Sequence, residues 1–509
     1  MLKRLIVLLL PTLLCSSNLF SQISFSSNFE SGSFGEALLL DSLWFSTDKG
    51  DSTFYISYQV NSRFDPLNPV DTSLNPSARW YYFRMDGVKD KMVHIRIKNS
   101  EAIRPFYSYD GKEFDRFSYS ENPEKGLIVK KFERDTVYIS HFKPYTWSSH
   151  KEKLDEWSAK ASVKRETIGK STLGLPIEML TITDTAQTIS IKKKIWIHGR
   201  SHPSEHPASW HLEALVDMIL SDSEESQDLR KNSIIYLVPF INPDGVYGGY
   251  SRSSSTGVNL EVNWDTLDSL TMPEVKALKN KLEDVTSDRP LDLLLNMHSQ
   301  IANSVTYWIH NAKSTTDKFL QRQLLLSALT MGERKFYREE DQSFSAIAPR
   351  YVEGWVWDKF KEATVAITFE TPYTYYAENP NGIWVSIDNL KDLAKDSFYA
   401  IYDFLMIPGG KRVILEPYRF IGRGWKVYDD NSRTYFGENY QVNENQNGKV
   451  VFRHNNLKEG SYKIFNYREN RWIEIDSITQ KKSGKFVWRA KSSIFKGEVD
   501  AILLIKQEN

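Results

Sequence analysis

The stretch Leu291-Asp-Leu-Leu-Leu-Asn-Met-His298 is a nearly continuous apolar run that stops on a group able to do chemistry. Three other runs share this design: Lys194-Ile-Trp-Ile-His-Gly199, Ser233 to Ile241 ahead of Asn242-Pro-Asp-Gly245, and Thr364-Val-Ala-Ile-Thr-Phe-Glu370. Runs this apolar read as strands covered on both faces. They alternate with amphipathic helical stretches such as Thr271 to Val285, which opens at Pro273, and Ser386 to Met406. That alternation predicts an α/β domain with a buried sheet over residues 161–407. Ligands of open α/β sheets bind beyond the carboxyl ends of the strands, so the polar groups ending the four runs are expected to converge on one site.

On either side the periodicity changes. Residues 22–160 carry short alternating runs, Thr53 to Val60, Trp80 to Arg84 and Val93 to Ile97, separated by Asn, Asp, Gly and Pro. This pattern predicts an antiparallel β-sandwich. Tyr145 to Ala161 is polar with helical spacing and reads as a connector. After the Pro408-Gly-Gly410 break, residues 408–509 turn strand-rich again, with Lys449 to Arg453, Gly460 to Phe465, Lys485 to Trp488 and Ala501 to Ile505, and predict a small β domain. Its tryptophans, Trp425, Trp472 and Trp488, read as core before they read as a glycan or partner surface.

Composition bounds the function. The 509 residues hold 65 Lys+Arg against 65 Asp+Glu, with 40% hydrophobic and 13% aromatic residues. Balanced charge gives no footprint for nucleic acid or an anionic membrane, and the apolar content is too high for disorder. The chain opens Met1-Leu-Lys-Arg4, continues with the apolar run Leu5 to Leu14 and reaches Ser21 through small and polar residues. These features predict a secretory signal peptide, residues 1–21, cut near Ser21, and a secreted or periplasmic protein. No other run is long enough to span a bilayer. The single cysteine, Cys15, lies in that segment, with Leu14 before it where a lipoprotein box needs a small residue. The mature chain then has no thiol, and any metal must be held by histidine and carboxylate.

The first run leads into Gly199-Arg-Ser-His-Pro-Ser-Glu-His-Pro207, where Gly199, Pro203 and Pro207 are expected to keep the segment out of a helix. A loop of this kind can turn His202 and Glu205 toward one cation, and His298, at the end of a distant strand, would complete a His₂Glu zinc site with one open position. His206 is the rival to His202. His198, and His211 at the opening of a helix, read as packing residues or as supports of the ligands.

With these residues in place, the sequence resembles a family. The segments His202-Pro-Ser-Glu-His-Pro-Ala-Ser-Trp210, Asn242-Pro-Asp-Gly-Val246, Arg252, Gly257-Val-Asn-Leu-Glu-Val-Asn-Trp264, Pro273-Glu-Val275, His298-Ser299 and Phe369-Glu370 resemble zinc metallocarboxypeptidases of the carboxypeptidase A type, above all the cytosolic carboxypeptidase (deglutamylase) branch. Phe29-Glu-Ser-Gly32, Trp80 to Arg84 and Phe142-Lys-Pro-Tyr-Thr-Trp-Ser148 are similar to the β-sandwich of that branch. The likeness covers about residues 22–405. It implies a three-layer α/β/α catalytic domain with a mixed sheet, one zinc ion on His202, Glu205 and His298, and hydrolysis of a peptide or amide substrate. It also implies Glu370 as general base and Arg252 as the charge that polarises the scissile carbonyl, with Tyr351 as the substrate-binding tyrosine. Read without the family, Glu370 is a paired acid at a strand end and Arg252 a solvated loop residue.

One motif departs from the family. Its members carry Asp-x-Asn-Arg where this chain has Asn259-Leu-Glu-Val262. Asn259 can still accept a hydrogen bond from an imidazole. Val262 cannot grip a carboxylate, and Glu261 would repel one unless it serves as a structural pair or attracts an amine. Arg200, Arg338 and Arg350 are the candidate substitutes. Three readings follow: a carboxypeptidase; a zinc amidase, deacylase or endopeptidase without C-terminal carboxylate recognition; and a non-catalytic binder. The last fits poorly with a complete set of ligands, base and arginine.

Overall fold

The computed structural model describes residues 23–46, 52–98, 103–186, 192–331, 336–337, 341–374, 376, 384–405, 412–414, 416–421, 449–468, 471–491 and 501–507. The signal segment, Arg338 and Trp425 lie outside them.

Among the described residues the N-terminal region contains nine strands: β1 (Ser24–Ser26), β2 (Glu36–Ser46), β3 (Ser52–Asn61), β4 (Tyr82–Asp86), β5 (Met92–Lys98), β6 (Phe106–Ser108), β7 (Asp115–Arg116), β8 (Leu127–Lys131) and β9 (Thr136–Ser140). They form one sheet in the order β1-β4-β9-β6-β7 and another in the order β2-β3-β5-β8. Alternate residues Val93, Ile95 and Ile97 of β5 point inward and meet Phe83 and Met85 of β4 in a shared core. The expected antiparallel pairing holds except between β3 and β5, which run parallel. The chain leaves β3, crosses to the other sheet for β4 and returns, and two crossings bring the strand back in its first direction.

The predicted connector is a helix, α1 (Trp147–Ser158), capped by Thr146, whose hydroxyl accepts from the Ser149 amide. Leu154 and Trp157 bury into the main core, so α1 packs as part of the next domain. That domain holds β10 (Val163–Lys170), β11 (Pro176–Ile182), β12 (Lys193–Gly199), β13 (Ser233–Val238), β14 (Leu293–Gln300), β15 (Thr306–His310), β16 (Ser343–Ser345) and β17 (Val365–Pro372). Its helices are α2 (His206–Ile219), α3 (Glu224–Asn232), α4 (Pro243–Gly248), α5 (Pro273–Val285), α6 (Asp317–Met331), α7 (Val352–Phe360) and α8 (Ile387–Phe404).

The sheet runs β10-β11-β13-β12-β14-β17-β15-β16. The four runs that decided the fold are its central strands β13, β12, β14 and β17, all parallel. Strand alternation splits them between two layers. Leu293, Leu295 and Met297 face one core with Leu212, Leu215 and Phe398, whereas Leu294 faces another with Val275, Leu278, Val352 and Val356. His298 and Asn296 lie on the same side of β14 as Leu294, and Glu370 and Thr368 on the same side of β17 as Ala366, which belongs to that second core. The parallel register sets His298 opposite Glu370 and Asn296 opposite Thr368. Four polar groups are thereby brought onto one face, under α7, at the carboxyl end of the sheet.

The C-terminal strands β18 (Arg412–Ile414), β19 (Glu416–Ile421), β20 (Lys449–Leu457), β21 (Gly460–Arg468), β22 (Arg471–Gln480), β23 (Gly484–Lys491) and β24 (Ala501–Lys506) form two antiparallel sheets. Trp488 is 5% exposed, as a core tryptophan would be.

Candidate metal centre and active site

β12 ends at Gly199, and the chain then turns on Arg200, a non-glycine residue at φ 62°. Such a backbone costs of order 1 kcal/mol and needs support. The Arg200 side chain supplies it, fully buried, donating from Nη1 to Tyr145 O at 3.3 Å and Ser209 Oγ at 2.9 Å, and from Nη2 to Pro203 O at 2.6 Å. Its guanidinium also lies over Phe240. Burial pulls its pKa down to about 9. Arg200 is therefore the pin of the metal loop, and a role as carboxylate anchor is ruled out by its burial among these partners.

Helix α2 begins at His206 and takes Pro207 into its first turn, so the irregular segment is shorter than the prolines suggest. Proline is tolerated there because the first-turn amides have no helical partner. His211 lies inside α2 rather than at its opening, where its Nε2 meets Ser397 Oγ at 3.0 Å.

Within the loop, His202 Nδ1 lies 2.7 Å from Glu205 Oε1, and His298 Nδ1 lies 2.7 Å from Glu205 Oε2. Donor atoms of the three residues all fall within 4.8 Å of one another, and each residue is buried. Ser299 N donates to Glu205 Oε2 at 3.0 Å. Burial opposes the Glu205 charge, but the two imidazoles outweigh it and hold the carboxyl well below its usual range. His206 is not part of this cluster: its Nδ1 accepts from the Tyr145 amide at 2.8 Å and its ring packs 4.0 Å from Trp80.

The far nitrogens of the two imidazoles are held as well. His202 Nε2 donates to Asn259 Oδ1 at 3.2 Å, and His298 Nε2 donates to Glu261 Oε2 at 3.0 Å. With Nε2 held as a donor, Nδ1 is the nitrogen that faces Glu205 and the one that would give up its proton to bind a metal. The donor set thus fits a zinc ion. Glu261 is drawn down to about 2, since burial, which raises it, is outweighed by His298.

Behind Glu261 lies a polar network. Asn296 Nδ2 donates to Glu261 Oε1 at 2.8 Å, to Glu353 Oε1 at 3.1 Å and to Thr368 Oγ1 at 3.3 Å, while Thr368 Oγ1 donates to Glu353 Oε1 at 2.5 Å. Burial, reinforced by the Glu261 charge, raises Glu353. His198 is buried beside this network, its Nδ1 accepting from Trp196 Nε1 at 2.9 Å, and burial lowers it to about 4.

A cavity of about 390 Å³ opens over the cluster. Arg252, Tyr351, Glu370 and Trp308 line it with His202 and His298, and Arg350, Glu353 and Glu261 reach it too. Glu370 is half-buried: Trp308 Nε1 donates to its Oε1 at 3.2 Å, and its Oε2 is sealed from solvent with no partner among the described residues. Burial, then the Glu205 charge, push its carboxyl up to about 7. Among the described residues Arg350 is the remaining candidate anchor, but its Nη2 is bonded to Tyr351 Oη at 3.0 Å. The sequence reading missed Glu353, Trp308 and the linking role of Asn296. Their signal is faint: a lone acid in Val352-Glu-Gly-Trp-Val356, and one amide in a leucine run.

Two imidazoles and a carboxylate at the carboxyl end of a mixed α/β sheet, with a second carboxylate and an arginine in the same cavity, define a metallohydrolase type of site. Residues 152–376 match the zinc carboxypeptidase family model. The chain is 24% identical over 351 residues to cytosolic carboxypeptidase 2 of Homo sapiens, covering 58% of this chain and 37% of that one. It is 25% identical over 343 residues to cytosolic carboxypeptidase 6 of Caenorhabditis elegans, covering 63% and 72%. This chain therefore spans well under half the length of the human relative. Among solved structures, the metallo-carboxypeptidase of Burkholderia cenocepacia superposes with a TM-score of 0.59 at 20% identity, over 74% of this chain and 97% of that one. The metallo-carboxypeptidase of Pseudomonas aeruginosa also gives 0.59, at 21% identity, over 74% and 98%. These two establish the fold.

The site yields two expected outcomes. His298→Ala is expected to lose zinc by metal analysis, and His206→Ala to keep it at lower thermal stability; the reverse pattern would mean that the ligand is His206. The second concerns Glu370, whose carboxyl moves from 4.5 to about 7 on folding. The folded state binds that proton more tightly than the unfolded chain, so the stability from this group is complete below its unfolded value and is lost as pH rises through about 7. Glu370→Gln has no proton to lose. It is expected to raise the melting temperature of the metal-free protein relative to wild type at about pH 8 and to change it little at about pH 5.

Proposed function

We propose that the protein is a zinc-dependent hydrolase of peptide or amide bonds, with His202, Glu205 and His298 as ligands of one ion and Glu370 as general base. The observation that carries this reading is the shared cavity, in which Glu370 and Arg252 face the same space as His202 and His298, the two imidazoles clustered with Glu205. The bound ion supplies Lewis-acid activation to water and to the scissile carbonyl. Glu370 takes a proton from the attacking water and gives it to the leaving nitrogen, which departs as a neutral amine. Trp308 holds Glu370 through Oε1. Arg252 sets a fixed positive charge beside the oxygen on which negative charge develops.

The substrate's far end is the open choice between a carboxypeptidase and an amidase, deacylase or endopeptidase. Glu261 and Val262 favour the second group, because the carboxylate of Glu261 is committed to His298 and Val262 offers no fork. Arg350 and Tyr351, at the cavity mouth, favour the first. Peptide pairs identical except for a free or an amidated C-terminus separate the two. Mass spectrometry of products from the zinc-loaded enzyme is expected to show cleavage of both forms, and loss of one residue from the free form alone would establish a carboxypeptidase. In either case Glu370→Gln is expected to keep zinc and lose turnover by roughly a hundredfold or more, and normal turnover would remove Glu370 from the mechanism.

The same proposal puts the enzyme outside the cytoplasm, on the strength of the basic, apolar and small-residue order of Met1 to Ser21. The mature protein recovered from cells is expected to begin near Gln22, and an intact Met1 or Leu2 start would overturn export.

A further inference from the structure

We propose that Asp65, on the loop after β3 in the N-terminal sandwich, is a positioning residue for Arg252, so that one catalytic centre is built from two domains. The inference rests on the role given to Arg252 above. Asp65 is 6% exposed, and its carboxylate accepts three consecutive backbone amides of the catalytic domain: Ser251 N to Oδ1 at 2.6 Å, Arg252 N to Oδ2 at 2.7 Å and Ser253 N to Oδ2 at 3.1 Å. The segment Ser251–Gly257 belongs to no helix or strand, so no ladder fixes its dihedrals. Buried amides must find acceptors, and here one ionised acceptor serves three of them, with Arg252 in the middle.

The arrangement reaches the metal loop. Ser251 O accepts from Ser204 N at 3.2 Å and from Ser204 Oγ at 2.8 Å, and Ser204 lies between His202 and Glu205. Ser251 Oγ accepts from Trp80 N at 2.9 Å, a second tie to the sandwich. Asp65 is fixed in turn, its own amide donating to Ser77 O at 2.7 Å. The two loops also meet away from Arg252: Arg63 Nη2 donates to Gly249 O at 2.9 Å, and a Cβ on Gly257, at φ +85°, would come within 2.3 Å of Leu67 O. The Asp65 carboxylate engages the backbone at Arg252, which fixes where the side chain starts and leaves the guanidinium directed to the cavity it lines.

Asp65→Asn tests this, because its amide group sets a donor against at least one N–H while keeping the size. Wild type, Asp65→Asn, Arg252→Ala and the double variant are compared as zinc-loaded full-length enzymes on one cleaved peptide, with zinc content and near-UV circular dichroism measured on each. Asp65→Asn is expected to lower kcat roughly tenfold or more with KM changed far less, zinc retained, and no further loss in the Arg252→Ala background. Arg63→Ala, which cuts the neighbouring tie between the loops, is expected to lower the melting temperature and to leave kcat within about twofold. If Asp65→Asn does not fold, Asp65→Ser takes its place. Equal kcat losses from Asp65→Asn in both backgrounds, or the same loss from Arg63→Ala, would overturn the proposal while leaving the hydrolase reading intact. An Arg252→Ala enzyme with normal kcat would instead strike at the role of Arg252, and the positioning role would fall with it.

Discussion

The Glu205 carboxylate is shared between two buried imidazoles, and the rest of the site is arranged to keep it there. Removing an ion from water costs several kcal/mol, and that cost is offset only when nearly every lone pair has a partner. Glu205 has His202 on one oxygen and His298 with the Ser299 amide on the other. Its two partners come from different architectures. His298 is delivered by the register of a parallel strand, which needs no special residue beyond the pattern of its core. His202 sits on an irregular loop, and Arg200 spans that loop internally to hold its shape.

From this centre the negative charge spreads outward in a way that differs from the family's usual motif. The neutral Asn259 orients His202, and the ionised partner, Glu261, stands behind His298. A carboxylate bonded to an imidazole raises its basicity more than an amide does, so the two imidazoles are unequal donors. The same choice removes Glu261 from the cavity's balance of free charge. It is an anion already engaged by His298 and Asn296, not one waiting for a substrate cation. Glu353, pressed against it, resists ionisation, because two unscreened negative charges in one buried network cannot both be cheap. The floor of the cavity is thus less acidic than a count of its glutamates suggests, and shape and hydrogen bonding there matter as much as charge.

How much of this was legible in the sequence depends on the range of each interaction. The central strands and the convergence of His202, Glu205, His298, Glu370 and Arg252 could be read because strand ends are encoded by local apolar pattern and parallel sheets gather them at one edge. The family resemblance then supplied roles that pattern alone left open. Arg200 could not be assigned, because a positive φ and a buried guanidinium are settled by Tyr145, Pro203 and Phe240 folding around it. The partner of Glu261 was equally hidden, since His298 lies far along the chain and reaches it only through the register of β14. The parallel pairing of β3 and β5 escaped because alternation reports a strand's faces and says nothing of its direction. Asp65 had no signal at all: Asp-Pro after a strand reads as a turn.

That last case bears on why a β-sandwich precedes the catalytic domain. The two share one core, in which Trp80, Tyr82, Phe106 and Phe142 of the N-terminal region pack with the residues around the main sheet. Their contact is also polar and close. Ser31 N donates to Tyr247 O, and a Cβ on Gly249, at φ +67°, would approach Gly32 O to 2.5 Å. Side chains cannot intervene at such separations, so backbone lies on backbone at Gly249 and at Gly257, on either side of the Asp65 carboxylate that meets Ser251 to Ser253. A parallel sheet fixes the residues at its strand ends by register, but the loops beyond those ends have no ladder of their own and would sample many conformations. An external template removes that freedom at the residues where it would cost most. The sandwich accordingly lies behind the loop that carries Arg252, and the backbone of that loop is bonded to a surface more than a hundred residues upstream.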